Sequence, residues 1–454
     1  MELDIVRFLE NKTILVTGAT GFLAKVFVEK ILRIQPNVKK MFLLIRATDK
    51  QSAIRRLHEE LLQKKLFDVL REEWAENFNS IVEKLTPIPG DVSCENLGVH
   101  NFDLRSEMWR EIDIIVNSAA TTKFDERYDI ALAVNAFGAK HVAEFAVRCA
   151  DIKMLLHIST AYVCGNMTGL IREKTFNMGE TLNGSGVLDM NEEKLLIEEL
   201  MIELREKNAS EGEITIALKN LGLQRARLHG WPNTYTLTKA VGEMILWHHC
   251  NQNTPLAFIR PTVITSTYRE PFADMVVNAI IVAIAVHADK PNSNKIYQVG
   301  SSRKHPLTYL DITDIAWSYF RDSPWIDENG EPVQVHKLGI MESMASFRKH
   351  LRRYILLTKV LKVASSMFGG RLQGLHADLH KKVNAAVRLA ELYEPYAFFK
   401  GIFDDTNTEA LRATISDNGV NLERVFYFDP RCIDWEDYFK RIHFPGLVDA
   451  FNGK

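Results

Sequence analysis

Short apolar runs alternate with stretches of helical spacing between residues 13 and 264 of the chain. Such runs are typical of strands that are buried on both faces of a parallel sheet, and helical stretches such as 127–150 supply the crossovers. The predicted strands lie within segments 14–16, 39–46, 85–92, 112–124, 154–165 and 255–264. The pattern predicts an α/β fold with a doubly wound parallel sheet, in which ligands bind at the carboxyl ends of the strands.

The pattern changes near residue 330. The stretch "DSPWIDENGEPVQV" supplies proline, glycine and acidic residues, which are typical of a linker. We therefore predict a first domain over residues 1–330 and a mostly helical C-terminal domain over residues 331–454.

No segment is predicted to cross a membrane. The apolar stretch at 275–288 is short for a bilayer and contains Asn278 and His287, so it is expected to be a buried helix. The stretch at 347–368 mixes basic and apolar residues. It is compatible with peripheral association with a membrane surface, although an ordinary amphipathic helix is favoured.

Composition excludes several classes of partner. The net charge of −2 gives no basic field for nucleic acid. The five cysteines are scattered singly, without a C-x-x-C pair or adjacent histidines, so reduced thiols and no metal site are expected. The acidic start "MELDIVRFLENK" is unlike a secretory signal or a transit peptide, and a cytoplasmic protein is expected.

A glycine-rich turn in "TILVTGATGFLAKVFVEKIL" joins the first predicted strand to a helix. In a dinucleotide site, Gly18 permits the tight turn, Gly21 lets the backbone approach the pyrophosphate, and small Ala24 allows close packing of the helix on the strand. The position of the glycines between a strand and a helix favours cofactor binding. The predicted cofactor contacts in this turn are Thr17, Gly18, Thr20, Gly21, Phe22, Leu23 and Ala24.

The residue that ends the second strand selects between the two nicotinamide cofactors. An acid there favours NAD, whereas this chain has Arg46, whose guanidinium can bind a 2′-phosphate. We therefore predict NADPH as the cofactor. Asp91, after the third strand, is predicted to bind the adenine amino group. Small Ser118 and Ala119 leave room for the cofactor rings, and Pro261 is counted among the cofactor contacts.

The stretch "YTLTK" places Tyr235 four residues before Lys239, on one face of a helix. A lysine ammonium near a phenol favours the phenolate, and we expect Lys239 to lower the pKa of Tyr235. A second match, Tyr396 to Lys400, lies outside the predicted sheet, and its lysine is expected at the surface. The helix of Tyr235 precedes a strand of the same sheet, so Tyr235 is expected to face Thr160 at the end of the 154–165 segment.

Several further segments carry a family resemblance. "TGATGFLA", "STAYV" and "YTLTK" resemble the extended short-chain dehydrogenases/reductases. "GWPNTYTLTKA", "RPTVITSTYREPF", "GIFDDTNTEALR", "FYFDPRCIDWEDYF" and "HFPG" resemble, more specifically, the alcohol-forming fatty acyl-CoA reductases of plants, the male-sterility proteins. The resemblance runs from about residue 8 to residue 447. A nucleotide-sugar epimerase would share the sheet, but it would lack the C-terminal motifs.

The resemblance implies a reaction and roles for four residues. NADPH would reduce a long-chain fatty acyl-CoA to an aldehyde and then to a primary alcohol. Thr160 would bind the developing oxyanion, Tyr235 would protonate it, and Lys239 would bind the nicotinamide ribose. Ser159 is ranked second to Thr160, because it points to the opposite face if the strand continues.

One departure from the family pattern follows "TSTYREPF". The family has a Pro-Gly-Trp turn and a few dozen further residues before "ADMVVNA", whereas Phe272 is joined here directly to Ala273. The missing segment is expected to line the acyl or CoA channel in the family. An alternative hypothesis is therefore a non-catalytic NADPH-binding form that acts as a partner of intact reductases. Homodimers, heterodimers and association with the endoplasmic reticulum stay open.

Overall fold

The computed structural model of the protein describes residues 4–250, 254–266, 275–290, 295–327, 329–337, 339–341, 343–367, 373–416 and 425–451. The strands are β1 Thr13–Thr17, β2 Lys40–Ile45, β3 Leu85–Pro89, β4 Ile114–Asn117, β5 Met154–Ile158, β6 Gly169–Ile171, β7 Leu256–Pro261, β8 Lys295–Val299 and β9 Gly401–Phe403. The junction between Phe272 and Ala273 lies outside these described residues.

Helices fill the segments between the strands. The α-helices are α1 Ile5–Phe8, α2 Phe22–Ile34, α3 Lys50–Leu57, α4 Asp68–Trp74, α5 Phe78–Val82, α6 Phe102–Glu111, α7 Tyr128–Ala131, α8 Gly138–Arg148, α9 Met190–Glu206, α10 Glu211–Leu228, α11 Thr234–Cys250, α12 Met275–His287, α13 Tyr309–Asp322, α14 Met344–Met367, α15 Gln373–Ala397, α16 Thr406–Ser416, α17 Trp435–Tyr438 and α18 Phe444–Phe451.

Seven strands form one parallel sheet in the order β3-β2-β1-β4-β5-β7-β8, and β6 pairs with β9 in a separate two-stranded sheet. The predicted doubly wound parallel fold is confirmed. The strand order reverses beside β1, where Thr17 is paired in register with Asn117 of β4. Ligands of such sheets bind outside the carboxyl ends of the strands at this reversal. The candidate site is therefore expected just beyond Thr17 and Asn117.

Alternate residues of the strands face two separate apolar cores. In β1, Ile14 and Val16 belong to the core that also contains side chains of α2 and α12. Leu15 belongs to the opposite core, with side chains of α6, α8 and α11. All five residues of β1 are buried. This burial on both faces explains why the strands are nearly continuous apolar runs in the sequence.

The described chain forms two compact units. The first comprises residues 1–165, 170–306 and 402–438, and the second comprises residues 166–169, 307–401 and 439–454. In the second unit, α14 packs against α15. In the structure, the chain passes from the first unit to the second after residue 306. The predicted domain boundary near residue 330 stays a prediction.

Residues 402–438 belong to the sheet-containing unit, whereas the sequence analysis assigned them to the C-terminal domain. The physical reason is burial. Phe426 and Phe428 are 0% and 1% exposed and lie in the core that covers α2 and α12. The Lys30 ammonium donates to the Val425 carbonyl oxygen at 2.8 Å. Apolar side chains of this segment therefore complete the core on one face of the sheet.

One helical stretch, residues 128–148, is long and apolar enough by length and composition to cross a membrane. The expectation that no segment has this property was wrong. Of its 18-residue apolar window, 56% is buried inside the protein. Its side chains include Val142 and Phe145 in one of the two sheet cores.

Candidate active site

The turn after β1 offers backbone N–H groups to a ligand. Gly18 has a φ of +66°, and a Cβ at this position would lie 2.7 Å from the Cα of Ala119. Only glycine fits this conformation and this close approach. Gly21 caps α2 without a side-chain hydrogen bond, and both Gly21 and Phe22 are exposed. The amino end of α2 is therefore an accessible site for an anionic group.

The other residues predicted in this turn serve the protein interior. Leu23 and Ala24 are 8% and 1% exposed and pack α2 into the core. The hydroxyl of Thr17 accepts from the Ala119 N–H at 3.1 Å and donates to Oδ1 of Asn117 at 2.7 Å. This hydroxyl is therefore used to tie the ends of β1 and β4 together.

Two arginines meet at the carboxyl end of β2. Arg46 is exposed, and Nη1 of Arg56 donates to its carbonyl oxygen. The Arg56 guanidinium is hydrogen-bonded to Glu60 and holds the pKa of that carboxyl below its usual range. Glu60 also accepts a hydrogen bond from Thr20. The sequence analysis missed Arg56 because it lies ten positions beyond Arg46, in the following helix.

The remaining predicted cofactor contacts lie at the carboxyl ends of other strands. Asp91 follows β3, and its Oδ1 accepts from the N–H and the hydroxyl of Ser93 at 2.9 and 2.8 Å. Ser118 is half-buried after β4. Pro261 is buried and ends β7, paired with Val299. One carboxylate oxygen of Asp91 is thus used to stabilise the loop that follows β3.

Tyr235 and Thr160 come together, as the sequence analysis expected. Asn233 precedes α11, and its Oδ1 accepts from the Thr236 N–H at 3.0 Å, which fixes the start of the helix. Tyr235 lies in the first turn of α11, and its phenol is close to the side chain of Thr160. The Oγ1 of Thr160 also accepts from the Tyr162 N–H at 3.3 Å.

Burial raises the pKa of Tyr235 to about 12, and the nearby Thr160 side chain opposes this shift. The direction is opposite to the expected one, and the position of Lys239 explains the difference. The Nζ of Lys239 donates to the Ile158 carbonyl oxygen at 2.6 Å and lies 3.3 Å from Nε2 of His157. The Lys239 ammonium is thus bound to β5, and burial determines the proton affinity of the phenol.

Lys239 is 1% exposed. Burial lowers its pKa from 10.5 to about 8, while the negative charge of Glu243 acts in the opposite direction. The lysine of the second Y-x-x-x-K match differs, because Lys400 is exposed. Its tyrosine, Tyr396, is 7% exposed and lies near the end of α15 in the second compact unit. Of the two Y-x-x-x-K matches, the one at residues 235–239 therefore has its lysine buried among polar groups.

His157 is a site residue that the sequence analysis did not identify. It is 1% exposed in β5, and its Nδ1 lies 2.9 Å from the amide nitrogen of Asn117. Burial and the nearby charge of Lys239 lower its pKa well below the usual range, so the ring is neutral. A signal was present in the sequence, since a histidine interrupts the apolar run "MLLHI".

Ser159 is 4% exposed, and its Oγ has no hydrogen-bond partner among the residues that the structure describes. Its N–H donates to the Ile259 carbonyl oxygen at 2.8 Å. Because β5 ends at Ile158, the alternation of faces that ranked Ser159 below Thr160 does not extend to these two residues. A buried hydroxyl without a partner is costly unless a ligand supplies one.

The geometry fits a dinucleotide cofactor in four respects. The close approach at Gly18 and the exposed amino end of α2 suit a pyrophosphate. Arg46 is accessible at the end of β2, and the Ser159 hydroxyl is without a protein partner in the described part of the chain. No group of three or more side chains that could hold a metal ion is found among the described residues.

Comparison with known proteins assigns the chain to a family. A family model described as male sterility protein matches residues 16–294, and a second model with the same description matches residues 353–451. The chain is 47% identical to "Probable fatty acyl-CoA reductase 4" of Arabidopsis thaliana over 99% of both sequences. The chain belongs to the plant fatty acyl-CoA reductase family.

A second relative of this reductase, the "Alcohol-forming fatty acyl-CoA reductase" of Simmondsia chinensis, is 45% identical over 98% of both chains. Among solved structures, the terminal R domain from the myxalamid PKS-NRPS biosynthetic pathway is similar with a TM-score of 0.49 and 16% identity, covering 89% of this chain and 85% of that one. The two family models span both parts of the predicted domain organisation.

The relatives are longer within the aligned region. The alignment with the first Arabidopsis protein extends over 488 positions, 34 more than the 454 residues of this reductase. At least that many positions are therefore filled by the relative alone. The sequence analysis predicted a missing segment of a few dozen residues after Phe272, and that position stays a prediction.

Proposed function

We propose that the protein uses NADPH to reduce a long-chain fatty acyl-CoA, through an aldehyde, to a primary alcohol for wax, cuticle or suberin-type lipids. The observation that carries this proposal is the proximity of the Tyr235 phenol to the Thr160 side chain. It lies in a chain 45% identical to a protein named as an alcohol-forming fatty acyl-CoA reductase. A proton donor beside a hydroxyl is the arrangement that carbonyl reduction requires.

The bound cofactor supplies hydride, and the residues of the chain supply position and protons. Thr160 donates a hydrogen bond to the substrate carbonyl oxygen as negative charge develops on it. Tyr235 then transfers its phenolic proton to that oxygen. The raised pKa keeps the phenol protonated at neutral pH, which suits a proton donor. Lys239 binds the ribose hydroxyls of the cofactor.

Two reductions balance the overall reaction. In the first, hydride adds to the thioester carbon and Tyr235 protonates the oxygen. The carbon–sulfur bond then breaks, the proton of the new hydroxyl passes to sulfur, and CoA leaves as the thiol, so an aldehyde remains. Tyr235 regains a proton from solvent before the second reduction. In the second, another hydride adds to the aldehyde carbon and Tyr235 protonates the oxygen to give the primary alcohol. The same Tyr235 and Thr160 pair serves both steps, because each step develops negative charge on one carbonyl oxygen.

Arg46 supports NADPH over NADH. Its guanidinium is exposed where the second strand ends, and Arg56 lies beside it. The exposed Arg46 cation favours a 2′-phosphate, whereas the charge of Arg56 is balanced by Glu60. We expect Arg46→Asp to weaken NADPH binding by roughly tenfold or more relative to NADH, the effect of about 1.4 kcal/mol. Equal losses for both cofactors would contradict this assignment.

A second candidate function rests on the shorter alignment. At least 34 positions of the relatives have no counterpart here, and the missing segment is expected to contact the acyl-CoA. The residues predicted for cofactor and proton transfer lie outside it. The alternative is therefore a non-catalytic form that binds NADPH and pairs with intact reductases in a heterodimer.

The deciding experiment measures NADPH oxidation by the purified protein with a saturated long-chain acyl-CoA, and extracts the products. We expect a fatty alcohol, and we expect Tyr235→Phe to lower its formation by roughly 10²-fold to 10⁴-fold, the usual contribution of a general acid. Retained NADPH binding without oxidation would support the non-catalytic form. Insertion of the relative's segment after Phe272 should then restore turnover.

We also propose peripheral association with the cytoplasmic face of the endoplasmic reticulum. In α14, Leu356, Leu357 and Val360 are 62%, 47% and 55% exposed, and several lysines and arginines share this helix. Exposed apolar and basic residues together favour an anionic membrane surface. Flotation with vesicles that contain anionic lipid should recover the protein, and Leu356→Glu should reduce the recovery. Equal flotation of both proteins would oppose the proposal.

A further inference from the structure

A chain of buried hydrogen bonds runs from the glycine turn to Lys239. The backbone N–H of Ala119 can only donate, and it donates to the Thr17 hydroxyl at 3.1 Å. The Thr17 hydroxyl in turn donates to Oδ1 of Asn117 at 2.7 Å. This leaves the amide nitrogen of Asn117, which can only donate, 2.9 Å from Nδ1 of His157.

These directions fix the tautomer of His157. Its Nδ1 accepts a hydrogen bond, so the proton of the neutral ring resides on Nε2. This nitrogen lies 3.3 Å from Nζ of Lys239. An N–H donor requires a lone pair on its partner, and only the neutral amine of lysine has one. The Lys239 amine can still donate its own hydrogen to the Ile158 carbonyl oxygen at 2.6 Å.

The opposite assignment has a specific cost. If the Asn117 amide were reversed, its nitrogen would donate to Thr17, and the Thr17 hydroxyl would lose its acceptor. Thr17 is 0% exposed, and an unsatisfied buried hydroxyl is unfavourable. His157 would then accept from Lys239, and the ammonium would be favoured. The two directions therefore predict opposite charge states for Lys239.

The charged groups around Lys239 are bound elsewhere and do not take over the role of this series of hydrogen bonds. Glu243, on the same helix, attracts the ammonium. Its carboxylate is bound by the guanidinium of Arg260 from β7, however, with Nε 2.9 Å from Oε1. From β5, the group that meets Lys239 is the neutral ring of His157.

We propose that His157 is a positioning residue for Lys239: its Nε2–H donates to the lysine amine, favours the neutral form, and connects this amine through Asn117 and Thr17 to the nucleotide-binding turn. The importance of these hydrogen bonds for cofactor binding rests on the proposed role of Lys239 at the cofactor ribose. Their donor-to-acceptor direction does not depend on that role. It can therefore be tested in the free protein.

The test measures the ionisation of Lys239 by trace acetylation with acetic anhydride across pH 6–11, with each lysine resolved by peptide mass spectrometry. The acetylation rate follows the fraction of neutral amine. Lys194, whose side chain is 66% exposed, is the reference. In the unaltered protein we expect Lys239 to titrate near pH 8 or below.

Three variants separate the two directions. His157→Leu removes the donor, and the midpoint of Lys239 should move upward by about one pH unit, the size expected for one hydrogen bond. His157→Gln keeps an N–H donor and should preserve the midpoint. Asn117→Asp forces Nδ1 of His157 to donate, which turns Nε2 into an acceptor for the ammonium, so the midpoint should rise.

The Asn117→Asp change also adds a negative charge. Its effect in the His157→Leu background measures that charge alone, because the chain is already broken. A rise that is no larger in Asn117→Asp than in this background would overturn the proposal, as would an unchanged midpoint in folded His157→Leu. NADPH affinity, measured separately, reports on the proposed function. A protein that does not bind NADPH would contradict the proposed function, but the acetylation result and the proposal on His157 would be unaffected.

Discussion

Two successive turns of α11 bury opposite charges in different surroundings. Lys239 is 1% exposed and has the Ile158 carbonyl oxygen and the neutral His157 ring as its hydrogen-bond partners. Glu243, one turn later, is 2% exposed and forms a salt bridge with Arg260. The pKa of Lys239, which has no salt bridge of this kind in the described part of the protein, is lowered from 10.5 to about 8.

The comparison separates a structural charge from a functional one. A buried ion pair with hydrogen bonds on both partners compensates much of its desolvation within the protein. A buried cation without a carboxylate partner is retained at a cost, and such groups cluster in sites that bind or transform ligands. We therefore expect changes at Glu243 to reduce stability, and changes at Lys239 to reduce function while sparing stability.

The largest expected effect follows from Glu243→Leu. Arg260 would remain buried without its carboxylate, and breaking such a pair costs about 3–5 kcal/mol. Urea denaturation measures the free energy of unfolding. The double variant Glu243→Leu with Arg260→Met should recover much of the loss, because no charge is then left buried. A loss below about 1 kcal/mol in the single variant would show that the pair has no structural role.

The next effect is the dependence of stability on pH. The pKa of Lys239 is 10.5 for the ordinary group and about 8 in the folded protein. Between these values the unfolded chain binds more protons than the folded protein, so the free energy of unfolding rises with pH. The contribution of Lys239 is unfavourable below pH 8 and disappears towards pH 10.5. It amounts to about 3 kcal/mol in total.

This dependence is isolated by comparison with Lys239→Met, which lacks the titrating group. The difference in unfolding free energy between the two proteins should change by that amount over this pH range. A constant difference would mean that the folded lysine titrates normally, and the contrast with Glu243 would then be lost.

At pH 7, Lys239→Met should have a small effect on stability. Relief of the buried charge outweighs the loss of the ammonium's hydrogen bond to the Ile158 carbonyl oxygen, worth about 1 kcal/mol, so stability should rise by about 2 kcal/mol. NADPH binding should weaken in the same protein, as fluorescence titration would show. Destabilisation by several kcal/mol would instead place Lys239 with Glu243 among the structural charges.

The smallest effect extends the comparison to two neighbouring hydroxyls. The Oγ of Ser159 has no partner in the described part of the protein, so Ser159→Ala should leave the unfolding free energy unchanged or raise it slightly. Thr160→Val loses the hydroxyl that accepts from the Tyr162 N–H and lies beside the Tyr235 phenol, so it should cost about 1 kcal/mol. Thermal unfolding of both variants measures this difference. Equal losses would assign both hydroxyls to stability.

Sequence reasoning was sufficient where a local pattern has one structural solution. The glycines between β1 and α2 are required by a positive φ at Gly18 and by the close approach of Ala119. The apolar runs could form only strands buried on both faces. The pairing of Tyr235 with Thr160 also followed, because the ends of parallel strands meet at one edge of the sheet.

Other features depended on contacts between distant parts of the chain. Periodicity does not show which core an amphipathic segment covers, so the position of residues 402–438 in the sheet-containing unit was not foreseen. His157 and Asn117 are separated by forty positions and meet only because β4 and β5 are neighbours. The proton affinity of Tyr235 was predicted in the wrong direction, since helical spacing gives proximity and says nothing of burial.

The sequence by itself therefore determined the fold, the family and the residue types at the turn and in the tyrosine motif, because local geometry and hydrophobic periodicity constrain them. Only the tertiary structure decided the charges. The position of α11 beside β5 brings Lys239 to the Ile158 carbonyl oxygen and to His157. Burial of these groups then sets their proton affinities, since desolvation depends on everything that packs around a side chain.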